Sequence, residues 1–144
     1  MDKDKIKRTP LLITSVIILL LLIGVIVFID DLISSKAQKA LPNTATNILE
    51  YYSGTVDFVR LLKADMSRAD YELYADNLKL TTQFSPNEHA DIRSTIEAGI
   101  GDAPDWWDPP SASSSTYFKY RKGEEYLNVL YYENGTAYLM FLSW

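Results

Sequence analysis

The chain has 144 residues, 14 Lys and Arg against 19 Asp and Glu, a net charge of −5 and no cysteine. The acidic balance disfavours nucleic acid and anionic headgroups as partners, and the missing thiols exclude disulfides, cysteine nucleophiles and lipid attachment at cysteine. A chain this long has room for one small domain with a single core.

Lys3, Lys5, Lys7 and Arg8 crowd the first ten residues. The next 19 residues, 11–29, contain no charge, and only Thr14 and Ser15 carry polar side chains. At about 1.5 Å per residue they make a helix of roughly 28 Å, close to the ~30 Å hydrocarbon core of a bilayer. Lys and Arg are retained on the cytoplasmic side, and the run is followed by Asp30 and Asp31. The expected topology is therefore N-terminus in, C-terminus out. The apolar cores of cleaved signal peptides span about 7–15 residues, which favours an uncleaved signal-anchor. Ser35-Lys36-Ala37 offers small residues for cleavage but lies well past the end of the run.

The expected organisation is a cytoplasmic basic tail (1–10), a transmembrane signal-anchor (11–29) that makes the bilayer a partner, a tether (30–42) and an extracytoplasmic domain (43–144). The tail carries a charge of +2 and the remainder −7. Small secreted eukaryotic domains are commonly stapled by disulfides. A cysteine-free exported domain fits a bacterial cell envelope and a plasma or inner membrane better.

Residues 46–52 are rich in Ile, Leu, Thr and Tyr and read as a strand. Ser53-Gly54 signals a turn, and 55–64 reads as the hairpin partner. Ser67 is a good N-cap, with Asp70 placed to meet the free amides of the helix it opens. Tyr71, Tyr74, Ala75 and Leu78 then recur at helical spacing, and the helix should end near Lys79. Ser85-Pro86-Asn87-Glu88 has the form of a capping box with proline at the first helical position. Ile92 and Ile96 share a face of that second helix, and Gly99 or Gly101 supplies its stop.

Residues 101–115, with three prolines and four serines, read as a loop. Strands follow at 116–121, 126–132 and 137–144. Lys122-Gly123 should join the first two, setting Arg121 opposite Glu124. Asn134-Gly135 is the preferred two-residue hairpin loop, because both residues tolerate positive φ. That placement sets Tyr131 against Tyr138, Val129 against Met140 and Leu127 against Leu142. On the other face it sets Tyr132 against Ala137 and Leu130 against Leu139. Residues 137–142 are apolar on both faces, the mark of a central strand.

No catalytic constellation stands out. The one histidine, His89, falls inside the second expected helix as an ordinary helix residue. No serine sits in a Gly-x-Ser-x-Gly elbow. Glu124 and Glu125 are adjacent in a strand and point to opposite faces. Asp102, Asp105 and Asp108 lack the EF-hand pattern and sit in a loop stiffened by Pro104 and Pro109, so neither metal nor cofactor is expected. Asn134-Gly135-Thr136 matches the glycosylation acceptor pattern, but the turn explains Asn-Gly by itself. The terminal aromatic Trp144 resembles the last strand of an outer-membrane barrel, yet such barrels need at least about eight strands.

The sharpest local feature is Trp106-Trp107 flanked by Asp105 and Asp108. Tryptophan beside aspartate suits stacking on sugar rings with hydrogen bonds to their hydroxyls, and also suits a protein partner. The plainer role is that one or both rings pin a long loop to the core.

Pro42-x-x-Ala45, two strands, a capped helix ending at Leu78, the Trp106-Trp107-Asp108-Pro109 loop and the tyrosine-rich hairpin together span 41–144. This order resembles small exported or membrane-anchored bacterial proteins of unassigned function, and the resemblance implies no activity. The expected fold is α+β: an N-terminal transmembrane helix, then an antiparallel sheet of about five strands with two helices on one face. The expected function is a non-catalytic membrane-anchored domain that binds a protein or envelope ligand through Asp105, Trp106, Trp107 and Asp108. The alternatives are an enzyme acting on envelope glycan through Asp or Glu near the tryptophans, and a small membrane immunity or exclusion protein.

Overall fold

The computed structural model describes residues 35–54, 57–97, 100–121 and 126–144. The chain divides into two compact units, Met1–Lys36 and Ala37–Trp144, and the second carries the fold described here. The expected membrane-spanning run 11–29, the Lys122-Gly123 turn and the Glu124-Glu125 pair lie outside the described residues. Among the described residues no helix is long and apolar enough to cross a membrane.

The described residues form six strands and three helices. In chain order they are α1 (Lys36–Lys39), β1 (Thr46–Gly54), β2 (Phe58–Asp65), α2 (Arg68–Asn77), β3 (Thr82–Gln83), α3 (Ala90–Glu97), β4 (Tyr117–Arg121), β5 (Tyr126–Glu133) and β6 (Thr136–Ser143). The strands make one antiparallel sheet in the order β1-β2-β6-β5-β4-β3. This is the expected α+β antiparallel class, with one strand more than expected. The addition, β3, is two polar residues, too short to show a period.

Local chemistry explains the best-defined elements. Asn134 and Gly135 have φ of 49° and 86°, the left-handed pair that a two-residue hairpin loop requires. The register that follows pairs Tyr131 with Tyr138, Val129 with Met140 and Leu130 with Leu139, as the sequence predicts. β1 and β2 pair as the expected hairpin; Gly54 closes β1 at φ 97°, with a backbone too close for a side chain. The β4–β5 junction differs. Arg121 stands opposite Tyr126, so four residues connect the strands where the Lys122-Gly123 reading placed two. Ser67 caps α2: its Oγ accepts from the Asp70 amide at 3.1 Å and donates to the Asp70 carboxylate at 2.7 Å. That hydroxyl, with help from Thr44, holds the Asp70 carboxyl below the usual carboxylate range.

The expectation of two helices on one face is corrected. Pairing register assigns Leu62, Ala64, Leu130, Ala137 and Leu139 to one face, where they pack with Tyr71, Tyr74 and Ala75 of α2. Leu61, Val129, Tyr138 and Met140 form the other face, where they pack with Phe84 and with Ile92 and Ile96 of α3. The helices therefore cover opposite faces. The reason lies in the connections: α2 follows β2 directly, whereas β3 crosses to the far edge before α3 begins. Strands apolar on both sides need cover on both sides.

Part of the span 30–42, expected as a tether, packs with the domain. Ala37 is buried in the α2-side core, and Ala40 and Leu41 pack against it. Tyr74 Oη donates to the Ala37 carbonyl at 3.0 Å, and Asn77 Nδ2 to the Ala40 carbonyl at 2.8 Å. Tyr71 Oη lies 2.5 Å from the Ser115 carbonyl and 2.9 Å from that of Leu130. Burial pushes both phenols above their ordinary range.

Because each face carries its own core, Leu61→Ala and Leu62→Ala, at fully buried neighbouring positions, should each destabilise the fold by about 2–5 kcal/mol in chemical denaturation. A sheet with one wet face would tolerate one of them. A second expectation concerns Asp65, which accepts from Asn47 Nδ2 at 2.7 Å and Thr136 Oγ1 at 2.9 Å. The Asn47 bond, then that of Thr136, lowers its pKa in the folded state. Its stabilising contribution is therefore present above the ordinary carboxylate value of about 3.9 and lost as pH falls through the lower folded value. Thermal melts between pH 5 and pH 2 should show a shallower acid slope in Asp65→Asn than in the parent.

Candidate functional site

The long connection from α3 to β4 lies over the α3 side of the sheet. Two short turns shape it: the Ala103 amide donates to the Ile100 carbonyl at 3.2 Å, and the Trp107 amide to the Pro104 carbonyl at 2.9 Å. The second turn throws both indoles toward the sheet. Trp106 and Trp107 are half-buried and pack against the α3-side core, while Asp102, Asp105 and Asp108 are exposed. Trp107 meets the Tyr138 ring edge-on at 5.8 Å between centroids, and Trp106 meets Trp107 edge-on at 6.1 Å. Lys63 Nζ sits over the Tyr138 ring, 5.2 Å from its centroid.

Beside Trp107 the loop stands off the sheet and leaves a cleft of about 350 Å³. Trp107, Pro109, Pro110, Ser111 and Ala112 form its loop wall. Ile96 of α3, with Tyr131 and Met140 of the sheet, forms its floor. The volume falls in the range of small-ligand sites. Among the described residues none of those lining it carries a formal charge, and Ser111 and Tyr131 bring hydroxyls. Tyr131 Oη contacts the Ile96 carbonyl at 3.4 Å. Such a surface accepts an apolar or aromatic group, or the C–H face of a sugar ring against the indole.

Of the four residues named from sequence, Trp107 lines the cleft and Trp106 braces it, while Asp105 and Asp108 flank it in the chain without lining it. Nor do Asp102, Asp105 and Asp108 converge: among the described residues no three acidic or histidine side chains are grouped to hold a metal. The lining residues Pro109, Pro110 and Ala112 had a partial signal in the sequence. Two adjacent prolines stiffen a chain segment away from regular structure, but nothing local says which wall they will form.

His89 is not an ordinary helix residue. Residues 86–88 form a turn, and α3 begins at Ala90, later than the capping box suggests. The Ser85 amide donates to His89 Nδ1 at 3.0 Å, the role a box assigns to Glu88. The imidazole also lies edge-on to Phe118 at 4.6 Å and stacks with Phe84 at 6.1 Å. It is a structural plug between the helix start and the sheet.

No family model, no curated protein and no solved structure matches the chain.

Trp107 bridges loop and sheet, so Trp107→Ala should cost about 1–3 kcal/mol in denaturant titrations, from lost burial and the Tyr138 contact. Asp105→Asn and Asp108→Asn, at exposed positions, should stay within about 0.5 kcal/mol of the parent.

Proposed function

We propose that the chain is a single-pass membrane protein, N-terminus in, whose extracytoplasmic α+β domain binds an apolar or aromatic portion of an envelope ligand or protein in the cleft beside Trp107. The observation that carries the binding half is the cleft, a cavity of ligand size with an indole wall and no charged lining. The anchoring half rests on the uncharged run 11–29 between basic and acidic flanks.

The reading is non-catalytic. Among the described residues no carboxylate or imidazole lines the cleft, and Asp105 and Asp108 are exposed to solvent. General acid–base work on a glycan needs two carboxyl groups facing the same bond, and this arrangement offers no such pair.

Ala112 lines the cleft wall and takes no part in the Trp106–Trp107 or Trp107–Tyr138 ring contacts, so Ala112→Phe is the substitution that fills the space. The full chain in membranes should resist alkaline extraction, and its C-terminal domain should be open to external protease. Its tryptophan emission should shift on titration with a binding member of a panel of neutral oligosaccharides and apolar peptides. In Ala112→Phe the shift should be lost while thermal stability is kept. A shift that survives the filled cleft would move the binding site elsewhere, and complete alkaline extraction would sink the anchor.

A further inference from the structure

The two edges of the sheet are built differently. At one end β3 contributes only Thr82 and Gln83, paired to Phe118 and Tyr117, and the rest of the β4 edge carries Lys119 and Arg121. Short strands and exposed charge are the usual means of blunting an edge. At the other end stands β1, nine residues long, with a neighbour on one side only among the described residues. It contains no lysine, arginine or proline. Its single charge, Glu50, is turned inward to Arg60, with Oε1 2.6 Å from Nη1. Of the five large apolar side chains most exposed among the described residues, three lie on this strand: Ile48 at 43%, Leu49 at 43% and Tyr52 at 49%.

A long, apolar edge whose outer backbone groups meet no strand among the described residues is a template for another strand. We infer that β1 is the contact between two copies of this chain, joined edge to edge and antiparallel about a two-fold axis. A second copy is the occupant that the edges themselves select. Joining β1 to the opposite edge of another molecule would propagate a filament, and the short β3 and the charges on β4 oppose that union. Joining β1 to β1 closes after two molecules and needs only the one open edge.

The register follows from the strand itself. Centring the axis on Glu50 would oppose two carboxylates. Centring it on Leu49 would run the pairing into the irregularity between Thr46 and Leu49, where Asn47 has a φ of 50°. Centring it on Tyr51 avoids both. Leu49 then stands opposite Ser53 of the second copy, Glu50 opposite Tyr52, and Tyr51 opposite itself. The contact joins two six-stranded sheets into one and sets Leu49 and Tyr52 beside side chains of the second copy. It is distinct from the cleft and does not depend on what the cleft binds.

The absence of native cysteine makes the test direct. Single-cysteine variants of the full chain are purified in detergent and mildly oxidised. Tyr51→Cys should give a covalent dimer by itself. Leu49→Cys and Ser53→Cys should cross-link when mixed with each other, and poorly when each is oxidised alone. Leu73→Cys, on an exposed apolar position of α2, should give only background. Light scattering should report a dimer for the parent. The double variant Ile48→Lys/Leu49→Lys should raise the dissociation constant by at least about tenfold, with an unchanged circular dichroism spectrum. A monomeric parent overturns the inference, as does a dimer indifferent to the lysines or cross-linking no stronger than that of Leu73→Cys. Slow amide exchange along β1 in a monomer overturns it too, since the edge would then be covered by something else.

Discussion

The constraint on which the fold depends is that β6 is apolar on both sides. Ala137, Tyr138, Leu139 and Met140 are four consecutive buried residues whose side chains alternate between the faces. Burying a side chain of this kind is worth about 1.5–3 kcal/mol, so neither half of the set can be left in water. β6 must therefore lie between two strands and beneath two layers. β2 and β5 flank it, α2 and α1 cover one face, and α3 with the tryptophan loop covers the other. In a domain without disulfides, this two-sided burial takes the place of covalent cross-links.

The candidate site is a consequence of that arrangement. An eight-residue helix is too short to roof the whole α3-side face. The loop after it completes the cover, and loops fill space less regularly than helices. Trp107 closes most of the gap through Tyr138, and the cleft is what remains between Trp107, the two prolines and the sheet floor. The same shortage of cover operates at the rim, where Ile48, Leu49 and Tyr52 of β1 stay exposed.

Polar contacts knit the layers at a few points and have little to do with the cleft. Three tyrosine hydroxyls reach backbone carbonyls across the α2-side core: Tyr71 to Ser115 and Leu130, Tyr74 to Ala37, and Tyr132 to Met66. Tyr117 donates to Glu72, which ties β4 to α2 and raises the phenol pKa. His89 does comparable work on the other face by accepting the Ser85 amide. These groups share one logic: a ring supplies buried area while its polar tip meets a hydrogen-bonding partner on a neighbouring segment.

The sequence by itself determined what is local. Asn134-Gly135 set the hairpin loop, and the loop set the register of β5 against β6, since a one-residue slip would turn every side chain to the wrong face. Ser67 set the start of α2, and two-sided apolarity made β6 central. The uncharged run 11–29 and its flanking charges are likewise a purely local signal, and they are the basis for reading an anchor. What sequence could not decide was on which side of the sheet each helix lands, because an amphipathic stripe is the same whichever face it meets. It could not see β3, whose two residues are a strand only because Phe118 and Tyr117 are there to pair with. It gave no sign that Ala37 belongs to the core, since a lone alanine among Lys, Gln and Ser has no periodicity to mark it. The role of His89 and the cleft beside Trp107 arise from chain segments meeting across the sheet, and only the tertiary structure brings them together.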